Sequence, residues 1–181
     1  MVILTVHREE SMKSETIYEG RILNLKVSTV ELPNQKYSKR EIVEKNKVVG
    51  IVPIKDDKII LVKQYRIAVD KELLEIPAGI VEVGEEPREA ALREMKEEIG
   101  YGSDDLEYLI DSLSSPGFTN EKTSYFLAQN LYEEKLEADD DEFIEVVEMD
   151  IKEVIRMIEY GEINDSKTII GVLLAARKLG Y

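Results

Sequence analysis

Apolar positions along this chain recur with two periods, one of two residues and one of three to four. Residues 18–32 alternate through Ile22, Leu25, Val27 and Val30 and predict strands. Pro33-Asn34 marks a turn. Arg40 to Glu44 leads through polar residues into Val48–Ile54, an apolar run that predicts a buried strand. Asp56-Asp57 turns this run into Lys58–Ile67, where Ile60 and Val62 alternate with Lys63 and its neighbours. Leu73 to Pro77 is a short segment feeding a loop at Gly79. Leu106–Leu113, Thr123–Leu131 and Phe143–Met149 are strand-like, and Glu133–Glu142 reads as a polar, acidic loop.

Helical spacing takes over in three places. Asp150–Tyr160 carries Val154, Met157 and Ile158 on one face, with Asp150 as cap and Gly161 as stop. Asp165 caps a last helix whose predicted apolar stripe is Ile169, Val172, Leu173, Ala176 and Leu179. The third segment, Gly79 to Tyr101, reads GIVEVGEEPREAALREMKEEIGY and predicts loop, helix, loop. Gly79 and Gly84 bracket a short irregular stretch that needs unusual backbone angles or close approach. Pro87 suits the first helical turn, while Glu85, Glu86 and Glu89 complement its positive end. Gly100 suits a left-handed C-terminal cap. Strands mixed with helices in this order argue for an α/β or α+β class.

The same segment holds the candidate chemistry. Glu94, Glu97 and Glu98 share one helical face, and Leu92, Met95 and Ile99 fall opposite, where they can be buried. At about 6 Å and an effective dielectric of about 20, each carboxylate pair repels by roughly 3 kcal/mol. A divalent cation reverses that sign, and a hard, oxygen-seeking ion such as Mg²⁺ suits such a cluster. The bland alternative is a solvated acidic face on an amphipathic helix.

Composition narrows the rest. A length of 181 residues suits one domain with a short extra segment. The absence of cysteine excludes disulfides and thiolate metal sites. His7 is the only histidine, which disfavours a His-based zinc site or a Ser-His-Asp triad and places His7 itself at the surface. No stretch approaches the ~20 apolar residues of a membrane span, and the opening MVILTVHREESMK reads as a strand, not a secretory signal, so the cytoplasm is the expected location. A formal charge of −14 argues against nucleic acid or an anionic membrane as partner. It also opposes a phosphorylated substrate, a conflict that a bound cation would resolve by dominating the local field.

Gly79, Glu85, Arg93, Glu94, Met95, Glu97, Glu98 and Gly100 stand at the spacing of the Nudix box, and the segment resembles that motif of the Nudix hydrolases. Tyr101 departs, being aromatic where the family prefers an aliphatic residue, which bears on packing after the helix. The resemblance covers about residues 45–181 and implies the Nudix fold, a mixed β-sheet sandwiched between helices. Residues 1–44 resemble the extra N-terminal strands of the ADP-ribose pyrophosphatase branch, which implies an N-terminal β extension exchanged across a homodimer. The alternative is a sheet packed on its own domain.

Further along, Ser115-Pro116-Gly117-Phe118 lies at the spacing after the box that resembles the same branch. The resemblance implies ADP-ribose, or a close nucleoside diphosphate sugar, as substrate. Pro116-Gly117 is also an ordinary turn dipeptide, and Phe118 suits either a ribose or base contact or a core position. Gln64-Tyr65-Arg66 and Leu74-Glu75-Ile76-Pro77-Ala78-Gly79 are similar to the branch as well. By resemblance Arg66 clamps a diphosphate, the Ala78 carbonyl and Glu94, Glu97 and Glu98 ligate Mg²⁺ (with Mn²⁺ as substitute), and Arg40 reaches into a partner's site. For Arg66 and Arg40 the alternative is a surface salt bridge.

The implied reaction is hydrolysis of a pyrophosphate bond, giving AMP and ribose 5-phosphate. Arg93 orients the acidic face with Glu85 or Glu89. The general base implied by the branch is Glu142, in Asp139-Asp140-Asp141-Glu142, with Glu98 as rival and a solvated loop acid as the alternative for Glu142. Two other functions remain open: a Nudix hydrolase of another nucleoside diphosphate derivative, and a non-catalytic module that binds ADP-ribose.

Overall fold

Alternation inside three strands decides which way each residue faces. These strands are β4 (Val48–Lys55), β5 (Lys58–Arg66) and β9 (Lys122–Glu133). Val49, Ile51, Ile60, Val62, Phe126 and Ala128 gather in one apolar cluster; Val52, Ile54, Ile59, Leu61, Tyr125 and Leu127 gather in another. Successive side chains point to opposite sides of a pleated sheet, so both faces are buried and both need cover. A computed structural model describes residues 8–137 and 143–181 of the chain.

Helix α1 (Pro87–Glu98) supplies the cover on the first face with Ala90, Ala91 and Met95. Met95 has no exposure, and its removal from water contributes about 1.5–3 kcal/mol. Helices α2 (Ile151–Glu159) and α3 (Ser166–Leu179) cover the second face with Ile151, Val154, Val172, Ala175 and Ala176. The result is the mixed sheet between helices expected from the sequence.

Four other strands complete this layer: β6 (Lys71–Glu75), β7 (Ala78–Ile80), β8 (Tyr101–Leu113) and β10 (Glu145–Asp150). The order is β10-β5-β4-β9-β8, with β6 beside β5 and β7 beside β4. β4 runs parallel to β9 and antiparallel to β7, while β4 and β5 pair only near their shared turn, at Ile54↔Ile59 and Lys55↔Lys58. β4 is therefore bordered by β7 on one side, which brings β7 to the helix that carries the carboxylates. Among the described residues no helix is long and apolar enough to cross a membrane.

The chain divides into two compact units. Lys47–Ser112 with Lys122–Tyr181 forms the unit just described. The other comprises the residues up to Asn46 together with Leu113–Glu121. Within it β1 (Glu10–Glu19), β2 (Asn24–Glu31) and β3 (Tyr37–Glu44) form an antiparallel sheet in that order. Pro33-Asn34 turns β2 into β3, and the Gln35 N–H donates to the Leu32 carbonyl at 2.9 Å. The loop Ser115–Glu121 is tied to β3: the Val43 N–H donates to the Phe118 carbonyl at 2.8 Å, and the Lys45 N–H to Asn120 Oδ1 at 2.9 Å.

Several expectations change. Arg40–Glu44 is not a connection but the second half of β3, because pairing with β2 satisfies its backbone whatever its polarity. Gly79 lies within β7, not in an irregular stretch, although Gly84 does take φ +87°. On α3, Leu173 is exposed and Ala175 is buried. The reason is the close approach at Gly171, where a Cβ would stand 3.0 Å from Val52 and Ile76. Contact there favours the small residues of the helix and turns Leu173 outward. His7 and the opening strand reading up to it fall outside the described residues.

Candidate functional site

Helix α1 begins where its sequence says it should. Pro87 takes the first position, Glu86 is the cap, and Glu86 and Glu89 form a reciprocal capping box. Gly100 follows the helix at φ +75°. These ends fix the phase at which Arg93, Glu94, Glu97 and Glu98 project.

That face is not solvated. Glu94 and Glu98 are 9% and 8% exposed, buried like Met95 on the same helix. The cover comes from β7. A Cβ on Gly79 would overlap the Glu94 carboxylate, so glycine here lets β7 pass with that carboxylate where it stands. One residue earlier, the Ala78 N–H donates to Glu98 Oε2 at 3.0 Å. The helix is thus covered on two sides, by the apolar sheet and by the short strand β7.

Arg93 holds the acidic groups together. Its Nε donates to Glu85 Oε1 at 3.0 Å and its Nη2 to Glu85 Oε2 at 3.1 Å, a two-point contact. Nη1 is shared between Glu94 Oε1 and Glu97 Oε2, each at 2.8 Å, and Nη2 also reaches the Ile80 carbonyl at 2.9 Å. The partner for Arg93 is Glu85; Glu89 is occupied with the Glu86 backbone N–H at 3.2 Å. Arg93 loses its proton even less readily than a free arginine, first because of the Glu85 contact. In turn the Arg93 guanidinium holds the Glu85 carboxyl below its usual range, against the upward push of burial.

The donors at this site are all oxygens, as a hard divalent ion requires, and the absent side chain of Gly79 leaves room for one of them. They are not drawn into a finished cage. Among the described residues no three acidic or histidine groups converge in metal-binding geometry. The reason lies in the contacts above: Arg93 stands between Glu94 and Glu97, and the Ala78 N–H takes an oxygen of Glu98. Glu97 and Glu98 border a cavity of about 200 Å³ that Lys135, Ile144 and Val146 also line. Glu97 and Glu98 therefore border open space beside the start of β10.

Arg66 is bound edge-on by a buried acid. Its Nε and Nη2 donate to the two oxygens of Glu75, both at 2.8 Å, and Glu75 is 1% exposed. The Arg66 side chain is 41% exposed. Its proton is held more tightly than usual, chiefly by Glu75 and also by the field of Glu98. The salt bridge expected as the alternative exists, but it is anchored in the interior. Glu75 was not singled out from sequence; the signal was there, a lone acid inside Leu73-Leu74-Glu75-Ile76.

The remaining candidates belong to the first unit or lie beyond the described residues. Arg40 pairs with Glu9, Nε to Oε2 at 2.9 Å, and also donates to Ser38 Oγ at 2.9 Å. Pro116 and Gly117 are exposed in a turn closed by the Phe118 and Thr119 N–H groups on the Ser115 carbonyl, at 3.1 and 3.0 Å. Phe118 is 54% exposed, which removes the core reading for it. Glu142 lies outside the described residues.

Comparison with known proteins agrees with this geometry. Residues 44–170 match the model of the NUDIX domain. The chain is 42% identical over 167 residues to the ADP-ribose pyrophosphatase of Bacillus subtilis (strain 168), covering 91% of this chain and 90% of that one. It is equally similar, over the same shares, to the methanol dehydrogenase activator of Bacillus methanolicus. A crystal structure of an ADP compounds hydrolase superposes with a TM-score of 0.89 at 28% identity, over 97% of this chain and 96% of that one. With the box on α1, the mixed sheet between helices and these matches in agreement, the chain belongs to the NUDIX domain family.

Proposed function

We propose that the protein is a metal-dependent Nudix hydrolase that splits the pyrophosphate bond of ADP-ribose into AMP and ribose 5-phosphate. The observation that carries this reading is the pair of buried carboxylates, Glu94 and Glu98, lodged against β7 where Gly79 leaves room for the Glu94 carboxylate. Burying such groups is costly unless they are paired, as Arg93 and the Ala78 N–H pair these, and a clustered set of oxygen donors suits a divalent cation. The relative named ADP-ribose pyrophosphatase supports the substrate.

Glu94, Glu97 and Glu98, with the Ala78 carbonyl beside them, would hold Mg²⁺ or Mn²⁺, which screens phosphate charge and lowers the pKa of a water. Arg93 serves as the positioning cation: it keeps like charges on one face without unfolding the helix. The exposed edge of Arg66 binds the diphosphate, for which a planar fork of donors is well suited. Glu142 takes the proton from the attacking water, with Glu98 as the rival. Pro116, Gly117, Phe118 and Arg40 bind the nucleotide sugar, and Phe118 is free of the core for that purpose. Residues 1–44 serve a homodimer; the ten exposed residues of β1, with Met12, Ile17 and Tyr18 among them, support this. The cytoplasm is the proposed location.

The test is a panel of nucleoside diphosphate derivatives with Mg²⁺ and identified products. Release of AMP and ribose 5-phosphate from ADP-ribose by the isolated chain is expected. Binding without turnover would point to a sensor module. Preferential cleavage of another derivative would keep the chemistry and change the substrate.

A further inference from the structure

The first turn of α3 and its cap contact two consecutive residues, Glu75 at the end of β6 and Ile76 after it, on the way to the carboxylate site. Lys167 Nζ stands 3.6 Å from Glu75 Oε2 and 2.9 Å from Asp165 Oδ1. Thr168 Oγ1 accepts from the Ile76 N–H at 2.9 Å. Asp165 binds this turn together: its Oδ2 accepts from the Thr168 N–H at 2.9 Å and from Thr168 Oγ1 at 2.8 Å. The side chains of Lys167, Asp165 and Glu75 are 23%, 11% and 1% exposed, so this is an interior network.

Its charges alternate as Asp165, Lys167, Glu75, Arg66. Burial pushes the Asp165 carboxyl up, yet Lys167 and Thr168 hold it below its usual range. Burial pushes the Lys167 ammonium down, yet Asp165 and Glu75 hold it above its usual range. Lys167 stands between two carboxylates and Glu75 between two cations. At the end of the chain only Arg66 faces solvent. Nε and Nη2 are engaged with Glu75, and among the described residues Nη1 has no hydrogen-bond partner.

We propose that Lys167 is a positioning residue: through the buried Glu75 carboxylate it fixes the Arg66 guanidinium so that the unused Nη1 edge faces a substrate diphosphate. Glu75 alone would be free to rotate about its terminal bond and carry Arg66 with it. The Lys167 charge draws Oε2 to one side while the Thr168 contact holds the next backbone amide, so α3 orients the carboxylate. The guanidinium is then pre-ordered before substrate arrives, and less freedom is lost on binding. The part of this inference that concerns substrate rests on the pyrophosphatase reading; the link from Lys167 to Arg66 does not.

The experiment uses the full chain and the double variant Lys167→Met/Asp165→Asn. The single Lys167→Met leaves buried carboxylates short of a cation and risks the fold, whereas the pair is removed at neutral charge and Asn still caps α3. The Arg66 Nε–H resonance, assigned by its loss in Arg66→Lys, reads the network without substrate. It is expected to be sharp and slow to exchange in the parent and in Lys167→Arg, and broad with faster exchange in the double variant. In ADP-ribose hydrolysis the double variant is expected to raise KM about tenfold and change kcat less than about threefold. In an Arg66→Ala background the same two substitutions should move KM less than about twofold, since the route through Arg66 is gone. An unchanged Arg66 signal, or a full KM penalty in the Arg66→Ala background, overturns the proposal. A parent that hydrolyses no nucleoside diphosphate compound overturns the substrate reading, while the Nε–H signal still decides the link to Lys167.

Discussion

The Glu94 carboxylate fills the space where a side chain on Gly79 would begin. Strand β7 and helix α1 meet at this point, and each sets the position of the other. The overlap involves the far end of a flexible glutamate, so an alanine at 79 can be accommodated by swinging Glu94 away. Gly79→Ala is therefore expected to keep the fold and lose function. Activity should fall by about 10–100-fold, the range found when the support of a metal ligand is removed. Thermal unfolding should shift by only a few degrees. Activity near that of the parent would show that Glu94 is not required where it stands.

Arg93 gives a prediction with a definite pH sense. Its guanidinium holds the Glu85 carboxyl below the usual range in the folded chain. A folded pKa below the unfolded one means stability that is complete above the unfolded value, about 4.3, and lost as pH falls through the folded value. Arg93→Met removes this contribution and leaves Glu85, Glu94 and Glu97 facing one another. Urea unfolding should show a loss of about 2–3 kcal/mol at neutral pH. The gap between parent and variant should narrow below about pH 4, where the carboxylates protonate in either chain. A gap that stays constant into acid would separate Arg93 from Glu85.

The ends of α1 were legible because each rests on a local rule: Pro87 at the first turn, Glu86 with Glu89, and Gly100 beyond the last. The three-carboxylate face was legible for the same reason, since helical spacing alone puts Glu94, Glu97 and Glu98 together. Their burial was not. Spacing says which residues share a face, not what covers it, and the cover here is β7, brought in by pairing with β4. Leu173 and Ala175 exchange places relative to expectation because Gly171 sets the contact, a matter of distance between α3 and the sheet. Glu75 escaped notice because its partners Arg66 and Lys167 are far apart in sequence.

Removal of metal should stop turnover and leave the fold in place. The apo carboxylates are already compensated, Glu94 and Glu97 by Arg93 and Glu98 by the Ala78 N–H. Excess chelator is therefore expected to abolish hydrolysis while far-UV circular dichroism is unchanged. Glu98→Gln should lose most activity with intact secondary structure, since an amide oxygen can still accept from Ala78. Full turnover in chelator would remove the metal from the mechanism.

One decision remains, between Glu142 and Glu98 as the proton acceptor. Glu98 already accepts from the Ala78 backbone, and as a metal ligand it would give its electron pairs to the cation. Both contacts occupy lone pairs that a proton acceptor needs. Glu142 belongs neither to the box nor to the Gln64-Tyr65-Arg66 segment, so a change there leaves the proposed metal and diphosphate residues in place. Glu142→Gln is expected to lower kcat by about 10²–10⁴-fold with little change in KM. If Glu142 were instead a metal ligand, raising Mg²⁺ would recover the rate. If it were a solvated acid, kcat would stay within a few-fold of the parent, and the role would pass to Glu98. Steady-state kinetics at two Mg²⁺ concentrations separates the three outcomes, because a lost base cannot be replaced by more metal.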